Sequence, residues 1–336
     1  MERNRLLWAD ALKGALILLV VLGHSIQNTI GEDCYTNHLW NFIYSFHMPA
    51  FMAISGFLSF RVKDHATVTK WYSIIWRRFQ QLVVPYVLWT VILLLYNNSF
   101  NGESIVEYIL YPDKGLWFLW VLFVISVLFV IGDLLSEKAG IKQEIVMLSI
   151  CIALAVTMVM FELRIMGFQF IAYYFIFYVF GYYLHKYYDR VKTDKSLLIV
   201  SLLVAWGMLA WFWQMKNAPS FLQVLPLPGS LTIYAYRFVT ALLAIYVLII
   251  VSPRVFNSNK QWVVLLGKIG IVSLGIYTSH VIFISSIADV YKGIGLSNGA
   301  VVLLTFVSAS LISFALVWLI SQLRVTSRLL LGKVQL

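Results

Sequence analysis

Charged residues are scarce in this sequence. Of its 336 residues only 12% are Asp, Glu, Lys or Arg, whereas 61% are hydrophobic and 16% are aromatic. The mean hydropathy is +0.84. Soluble globular domains carry about 25% charged residues. This composition therefore excludes a soluble globular domain and predicts an integral membrane protein.

Cysteine is also rare, which excludes a disulfide framework. The two cysteines, Cys34 and Cys151, are far apart and have no CxxC spacing, so the sequence predicts neither a zinc site nor another metal site. We also expect no permanently bound cofactor. The first apolar run lacks a small-residue cleavage site and carries Asp10 and Lys13, so we expect a retained span rather than a signal peptide.

Acidic residues are outnumbered, with 15 Asp and Glu against 25 Lys and Arg and a net charge of +10. Such an excess can indicate nucleic-acid binding. Here, however, the basic residues lie in short loops between apolar runs, which is the pattern of membrane topology. The sequence therefore predicts contact with membrane lipids and no nucleic-acid partner.

Ten apolar runs are long enough to cross a hydrocarbon core about 30 Å thick, which takes roughly 17–25 helical residues. They are 11–30, 40–60, 81–96, 116–135, 145–161, 168–184, 196–213, 231–251, 269–288 and 300–322. No internal repeat, linker or soluble domain interrupts them. We predict an all-α integral membrane protein of about ten transmembrane helices in a single bundle, with residues 1–336 forming one polytopic domain.

The loops differ sharply in basic charge. If the N-terminus is cytoplasmic, the inner segments carry 19 Lys and Arg residues and the outer segments carry four. Lys and Arg are enriched on the cytoplasmic side of membrane proteins, and an even number of spans returns the chain to its starting side. We therefore predict that both termini are cytoplasmic and that the loop containing Cys34 lies outside.

The first span contains polar residues on one face. Lys13 and His24 are 11 residues apart, which is three helical turns and about 16 Å along the axis, and Asp10 falls near the same stripe. An ionisable group within a membrane span is costly and usually marks function. The alternative, that His24 is a packing residue with a satisfied hydrogen bond, remains open.

Three histidines are expected at similar depth. His24 is on the first span, His47 is about seven residues into the second, and His280 is on the ninth. Met48 and Pro49 follow His47, and a proline within a span loosens the helix and frees a carbonyl group. The spacing predicts a polar site within the membrane. Three independent interhelical hydrogen bonds are the alternative.

Basic residues cluster where the first and third spans meet the cytoplasm. Lys13, Arg77 and Arg78 are placed to bind phosphate groups. Simple membrane topology is the alternative, and we favour it for the basic residues of 61–70. The distance of about 16 Å from Lys13 to His24 suits a phosphopantetheine arm, and histidine is the usual general base at neutral pH.

Several short motifs together resemble a known family. They are Asp10-x-x-Lys13-Gly14, Val21-Leu-Gly23-His24, Phe46-His47-Met48-Pro49-x-Phe51, Ser55-Gly56-Phe57, Arg77-Arg78 with Pro85-Tyr86, Leu116-Trp117-Phe118-Leu119, Gly181 and Ile276-Tyr277-x-x-His280. In this order and spacing the chain resembles, over nearly its whole length, the membrane-bound acyltransferase 3 family, the O-acetyltransferases of bacterial surface glycans. Such a family implies the bacterial plasma (inner) membrane as the location.

The resemblance implies transfer of an acyl group, usually acetyl, from acyl-CoA to a sugar hydroxyl of a cell-surface or lipid-linked glycan. It implies that His24 is the catalytic base and that His47 and His280 line the site or orient the reacting groups. Tyrosine and tryptophan near the outer ends of the spans are candidates for stacking on sugar, although an interfacial aromatic belt is the favoured interpretation.

The same resemblance assigns the donor site. The family's Arg-x10-His pattern falls on Lys13 and His24, so lysine replaces arginine and the bidentate fork is lost. Its Arg-x-x-Arg pattern falls on Arg78 and Gln81, so the second arginine is missing. We expect Lys13, Arg77 and Arg78 to hold the phosphates of acyl-CoA, which acts as a co-substrate.

Two further expectations concern partners and alternatives. Many relatives carry an additional periplasmic domain, so a separate periplasmic partner is expected here. The competing function is an exporter of polysaccharide or lipid-linked glycan without catalysis, for which ten spans are equally suitable. A membrane scaffold explains neither the buried histidines nor Lys13. The matched, interrupted helices of many transporters are not found in the sequence.

Overall fold

The computed structural model describes residues 6–60, 68–161, 163–223, 229–257 and 260–332, and every regular element in these ranges is helical. The α-helices are α1 (Leu7–Ile30), α2 (His38–Tyr44), α3 (His47–Ser59), α4 (Val68–Arg78), α5 (Val84–Tyr96), α6 (Gly102–Leu110), α7 (Trp117–Ala139), α8 (Gln143–Phe161), α9 (Phe168–Lys186), α10 (Tyr188–Val191), α11 (Ser196–Trp211), α12 (Gly229–Val255), α13 (Gln261–Ile271), α14 (Ser273–Gly293), α15 (Asn298–Ser321) and α16 (Arg324–Leu331). Gly31–Thr36 forms a 3-10 helix and Phe79–Val83 a π-helix.

Nine helical segments in the described ranges are long and apolar enough to cross a membrane. They correspond to nine of the ten predicted spans, and the remaining prediction, 196–213, corresponds to the shorter apolar helix α11. The prediction of an all-α multi-pass membrane protein is confirmed. Helices are favoured in lipid because they satisfy every backbone hydrogen bond within one segment.

The second span is broken rather than continuous. α2 ends at Tyr44 and α3 begins at His47, and Phe46 between them has a non-helical backbone. Pro49 lies in the first turn of α3, where its missing N–H costs no hydrogen bond. The helix is therefore broken just before Pro49 rather than at it. The break makes His47 the first residue of α3.

The third span is longer than predicted. A single helical segment runs from Trp71 to Tyr96 and includes the π-helical turn, whereas the sequence predicts a short span over 81–96. Pro85 lies two residues after the last residue of the π-helical turn, and a proline ring clashes with the carbonyl four residues earlier in a regular α-helix. The wider turn accommodates Pro85 and places Arg78 inside the helix.

A close backbone contact joins α1 to α13, a short helix that the sequence analysis did not predict. A methyl group added to Gly14 would overlap the backbone of Leu266, and one added to Gly270 would overlap the backbone of Asp10. The two backbones therefore touch directly, as is common where small residues line helix interfaces in membranes. α13 was missed because its 11 residues are too few for a span.

The C-terminal helix α16 folds back against the third span. The indole N–H of Trp89 donates a hydrogen bond of 2.9 Å to the carbonyl of Leu330. Gly332 follows in the left-handed conformation, with φ of +61°, against the backbone of Gln81. A side chain at residue 332 would be strained and would overlap that backbone, so this contact requires glycine.

Residues predicted on the same side of the membrane contact each other. Lys216 pairs with Glu32 at 3.0 Å among the outer loops, and Arg254 pairs with Asp194 at 2.6 Å among the inner ones. The charged segments 1–5, 61–67 and 333–336, which contribute to the basic inner loops, lie outside the described residues. Cys34 is buried, with 1% exposure, and is unsuited to surface labelling.

Orientation can be tested at exposed positions instead. In a Cys34→Ala, Cys151→Ala background, we expect Asp33→Cys to react with a membrane-impermeant thiol reagent in intact spheroplasts, because the outer loops are poor in basic residues. Lys142→Cys is the matched control for the opposite side and should react only after permeabilisation. Reaction of Lys142→Cys but not of Asp33→Cys in intact spheroplasts would invert the topology.

The α1–α13 contact makes a prediction about stability. Gly270→Ala should destabilise the protein by about 1–3 kcal/mol, because the added methyl group forces two backbones apart. A lower thermal unfolding midpoint in detergent would show this. Gly207→Ala in α11 is the control, since no atom lies within 4 Å of its added methyl group. Equal midpoints for the two variants would contradict the close packing.

Candidate active site

A cavity of about 610 Å³ opens among α1, α3, the π-helical turn, α7, α14 and α16. Lys13, Ile17 and Val20 of α1 line it in one stripe, with the spacing of four and three residues that keeps side chains on one helical face. This volume is typical of small-molecule sites. The cavity extends about 10 Å along α1, from Lys13 to Val20.

The polar end of the cavity carries two basic side chains. Lys13 and Arg78 both line it, together with Gln81. Lys13 also forms an ion pair of 2.6 Å with Asp10, whereas Arg78 has no ion-pair partner among the residues that the structure describes. Arg78 therefore presents its full positive charge to the cavity, and Lys13 a partly neutralised one.

Arg77 is not among the residues that line the cavity. Adjacent residues on a helix point about 100° apart, so only one member of this pair can face the same space. The structure thus separates the two arginines that the sequence analysis grouped together. The role of Arg77 in holding a donor stays a prediction.

The end of the cavity farthest from Lys13 and Arg78, called its inner end below, is formed by aromatic and aliphatic side chains. Val20, Met48, Phe51, Phe118 and Tyr277 line it. The phenolic oxygen of Tyr277 accepts a hydrogen bond of 3.3 Å from the backbone N–H of Phe118. This bond ties the beginning of α7 to α14 and provides a polar atom at the apolar end.

His24 continues the α1 stripe, four residues beyond Val20, and lies next to His280. The centroids of the two imidazole rings are 5.3 Å apart. His280 is completely buried, whereas the His24 side chain is partly exposed. The ring of Tyr277 lies 6.0 Å from that of His280, so the histidine pair is directly beyond the inner end of the cavity.

The hydrogen bonds of two histidines determine their tautomers. The Nδ1 atom of His280 is 2.9 Å from the carbonyl of Ile276, and that of His47 is 2.7 Å from the carbonyl of Ile43. A carbonyl oxygen only accepts, so each Nδ1 carries a hydrogen, and Nε2 of a neutral ring is an acceptor. Nε2 of His280 is buried and has no hydrogen-bond partner.

Tyr44 connects His47 to α1. The two rings are 4.7 Å apart in an edge-to-face arrangement, and the Tyr44 ring packs against Gly23, the residue before His24. The Tyr44 hydroxyl donates a bond of 3.1 Å to Gln27 on α1. The structure thus gathers the three histidines around one place.

Sequence reasoning did not assign Tyr277 a role in this arrangement, and it considered Tyr44 only among the aromatic residues near the outer ends of the spans, as a candidate for stacking on sugar. Tyr277 stands in the Ile276-Tyr277-x-x-His280 motif, three residues before His280, a spacing that puts both side chains on one face of α14. This spacing was the available signal. The position of Tyr44 beside His47 had no such signal, because it depends on the break between α2 and α3.

A comparison with known protein families identifies the chain. The sequence profile of the acyltransferase domain family, acyltransferase 3, matches residues 6–322. The chain belongs to this family. Membership confirms the resemblance predicted from the short motifs and favours an acyltransferase over the exporter and the scaffold.

Two curated relatives are similar to part of the chain. Both are named nodulation protein NolL: that of Sinorhizobium fredii is 32% identical over 167 residues, and that of Mesorhizobium japonicum 33% over 134. The matches cover 46% and 37% of this chain and 44% and 35% of the relatives, so the matched segment spans less than half of either. No solved structure matches the acyltransferase chain significantly.

Proposed function

We propose that this acyltransferase moves an acyl group, acetyl in the first instance, from acyl-CoA to a sugar hydroxyl of a cell-surface or lipid-linked glycan. The observation that carries the proposal is the cavity that runs from Lys13 and Arg78 towards the pair His24 and His280. Its charged end suits a phosphate-bearing donor, and its inner end suits the reacting groups. Family membership supports the transfer of an acyl group.

The donor would enter at the polar end of the cavity. The phosphates would contact Arg78, whose guanidinium can form two parallel hydrogen bonds, and Lys13, which acts as a point charge. The pantetheine arm would follow the α1 stripe past Ile17 and Val20. About 16 Å separates Lys13 from His24 along the helix axis, so the thioester would reach the histidines while the nucleotide stays outside.

The transfer needs a base for the acceptor hydroxyl. In the proposed step His24 removes the hydroxyl proton, and the sugar oxygen forms a bond with the thioester carbonyl carbon. The carbon–sulfur bond then breaks, and the CoA sulfur leaves and takes the proton back from the His24 imidazolium. Only protons move between the protein and the substrates, so the atoms and electrons balance without a further reactant.

The other two histidines would orient the reacting groups. His280 holds a free Nε2 acceptor beside His24, which suits it to accept a hydrogen bond from the His24 ring and so select the His24 tautomer. His47 is fixed by the Ile43 carbonyl and by Tyr44. We propose that both act through His24 rather than on substrate.

The proposed setting is the bacterial plasma membrane, with both termini in the cytoplasm. The excess of 19 basic residues over four supports it, because acyl-CoA is made in the cytoplasm and Lys13 and Arg78 lie towards that side. The acceptor would approach from the opposite side. A separate periplasmic protein that presents or exports the glycan is proposed as a partner.

The catalytic assignment predicts the effect of removing His24. His24→Ala should lower the rate of acyl transfer by about 10²–10⁴-fold, the usual contribution of a general base, and leave acyl-CoA affinity unchanged. Mass spectrometry of glycans from cells that express the variant, together with calorimetric titration of acyl-CoA, measures both quantities.

A matched control for this variant is His185→Gln. His185 lies outside the site, where its Nδ1 bonds to the carbonyl of Phe57 at 2.6 Å, so transfer should stay within a few-fold of the wild type. Full glycan acylation by a well-expressed His24→Ala protein would remove His24 from the reaction.

The donor assignment predicts weaker binding without the basic side chains. Lys13→Ala and Arg78→Ala should each cost about 1.5–3 kcal/mol, roughly 10- to 150-fold in the Kd for acetyl-CoA. The loss should be larger for Arg78, because Asp10 already neutralises part of the Lys13 charge. Lys268→Ala is the control, an exposed basic residue on the same side. If all three variants had equal Kd values, membrane topology would be the only remaining role of Lys13 and Arg78.

A further inference from the structure

A second cavity, of about 320 Å³, lies at the other end of α1, away from the donor cavity. Its walls are the 3-10 helix Gly31–Thr36, the beginning of α2, and the segment 211–217 after α11. These elements belong to the outer loops of the predicted topology. None of its residues has a part in the donor cavity or in the histidine site.

Two buried polar atoms of residues that line this cavity have no hydrogen-bond partner in the described part of the chain. They are Oδ1 of Asn41 and the indole Nε1 of Trp213, on side chains that are 4% and 3% exposed. The other end of the Asn41 amide is fixed, because its Nδ2 donates to the carbonyl of Tyr35 at 2.9 Å. A buried acceptor and a buried donor without partners are costly, and a ligand hydroxyl group that reached either atom from the cavity would satisfy it.

The charges of the cavity cancel. Lys216 forms an ion pair of 3.0 Å with Glu32, and its ammonium group lies 3.8 Å from the centroid of the Tyr35 ring. Both charged side chains line the cavity. A phosphate or carboxylate ligand would have to compete with Glu32 for Lys216, so the cavity favours a neutral polar ligand.

An exposed indole ring adds a flat apolar surface. Trp211 lines the cavity, is 62% exposed and stacks on His38 with ring centroids 4.8 Å apart. The ring leaves one face open, which suits the C–H face of a sugar ring. Gln214 and Asn217 supply further side-chain amides in the wall. A few polar groups among aromatic surfaces are typical of a small-molecule site.

The cavity is connected to the histidines by two elements. Along α1 and its 3-10 extension, Glu32 follows His24 by eight residues, or about 12 Å of helix. Along α2, Asn41 precedes the break before His47, and the rings of Trp40 and Tyr44 stack with centroids 3.7 Å apart. The outer cavity thus lies about 12 Å from His24 along α1.

We propose that this outer cavity binds a neutral saccharide and holds the acceptor glycan of the reaction. That the bound sugar is the acceptor rests on the proposed function, whereas the binding of sugar does not. Asn41, Trp211 and Trp213 carry it. Two sources share this chemistry, a free oligosaccharide and the sugar portion of a lipid-linked saccharide.

The test is direct sugar binding to the full chain in phosphatidylcholine nanodiscs, since alkyl glycoside detergents would themselves occupy the site. Saturation-transfer NMR and calorimetry would be run with maltose, lactose and N,N′-diacetylchitobiose, and with glycerophosphocholine as a charged head-group probe. We expect at least one disaccharide to bind and glycerophosphocholine not to bind. Tighter binding of decyl maltoside than of maltose would indicate the lipid-linked source, and equal binding the free one.

Two variants test whether the disaccharide binds in this cavity. Trp213→Phe removes the indole N–H and keeps an aromatic ring, and Trp211→Ala removes an exposed ring. Each should weaken disaccharide binding about tenfold or more. Trp318→Ala in α15, also an exposed tryptophan at 58%, is the matched control and should bind like the wild type.

The outcomes separate this inference from the proposed function. Failure of every disaccharide to bind, binding that survives in both cavity variants, or binding of glycerophosphocholine alone would overturn the saccharide site. Acetyl-CoA titrated into the same nanodiscs tests the donor cavity independently. Sugar binding without any acyl transfer would leave this site standing and remove the proposed function.

Discussion

The backbone contact between α1 and α13 is the constraint on which the site depends. Gly14 and Gly270 let the two helices touch, and α14, which follows α13 after Val272, also packs against α1. This contact sets the register that brings His280 beside His24. With no hydrophobic drive between helices in lipid, such close packing is what holds a bundle together.

Three interruptions of regular helix lie at the cavity that Lys13 and Arg78 line. They are the break before His47, the π-helical turn Phe79–Val83, and the bend at Val272 between α13 and α14. Residues on each of them, or directly beside them, line the cavity. Irregular backbone is tolerated at membrane depth only where protein or a cavity covers it. The interruptions therefore belong to the site and are not local defects of the spans.

Polar groups in the bundle fall into three zones along α1. The charged zone at Lys13 and Arg78, the histidines, and the neutral aromatic zone around Asn41 follow one another. Each zone suits a different chemistry, namely phosphate binding, proton transfer and hydroxyl recognition. In the proposed reaction this order would keep the donor and the acceptor apart until their reactive ends meet.

The sequence by itself determined the fold class, most of the spans and the family, because apolar length and motif order are local properties. It also determined the α1 stripe from Lys13 to His24, since helical periodicity requires only spacing. Tertiary structure decided what lies opposite that stripe: that Arg78 lines the cavity and Arg77 does not, that His280 is the neighbour of His24, and that Asn41 and Trp213 share a cavity. These depend on helix breaks and backbone contacts between residues distant in sequence, which no local pattern specifies.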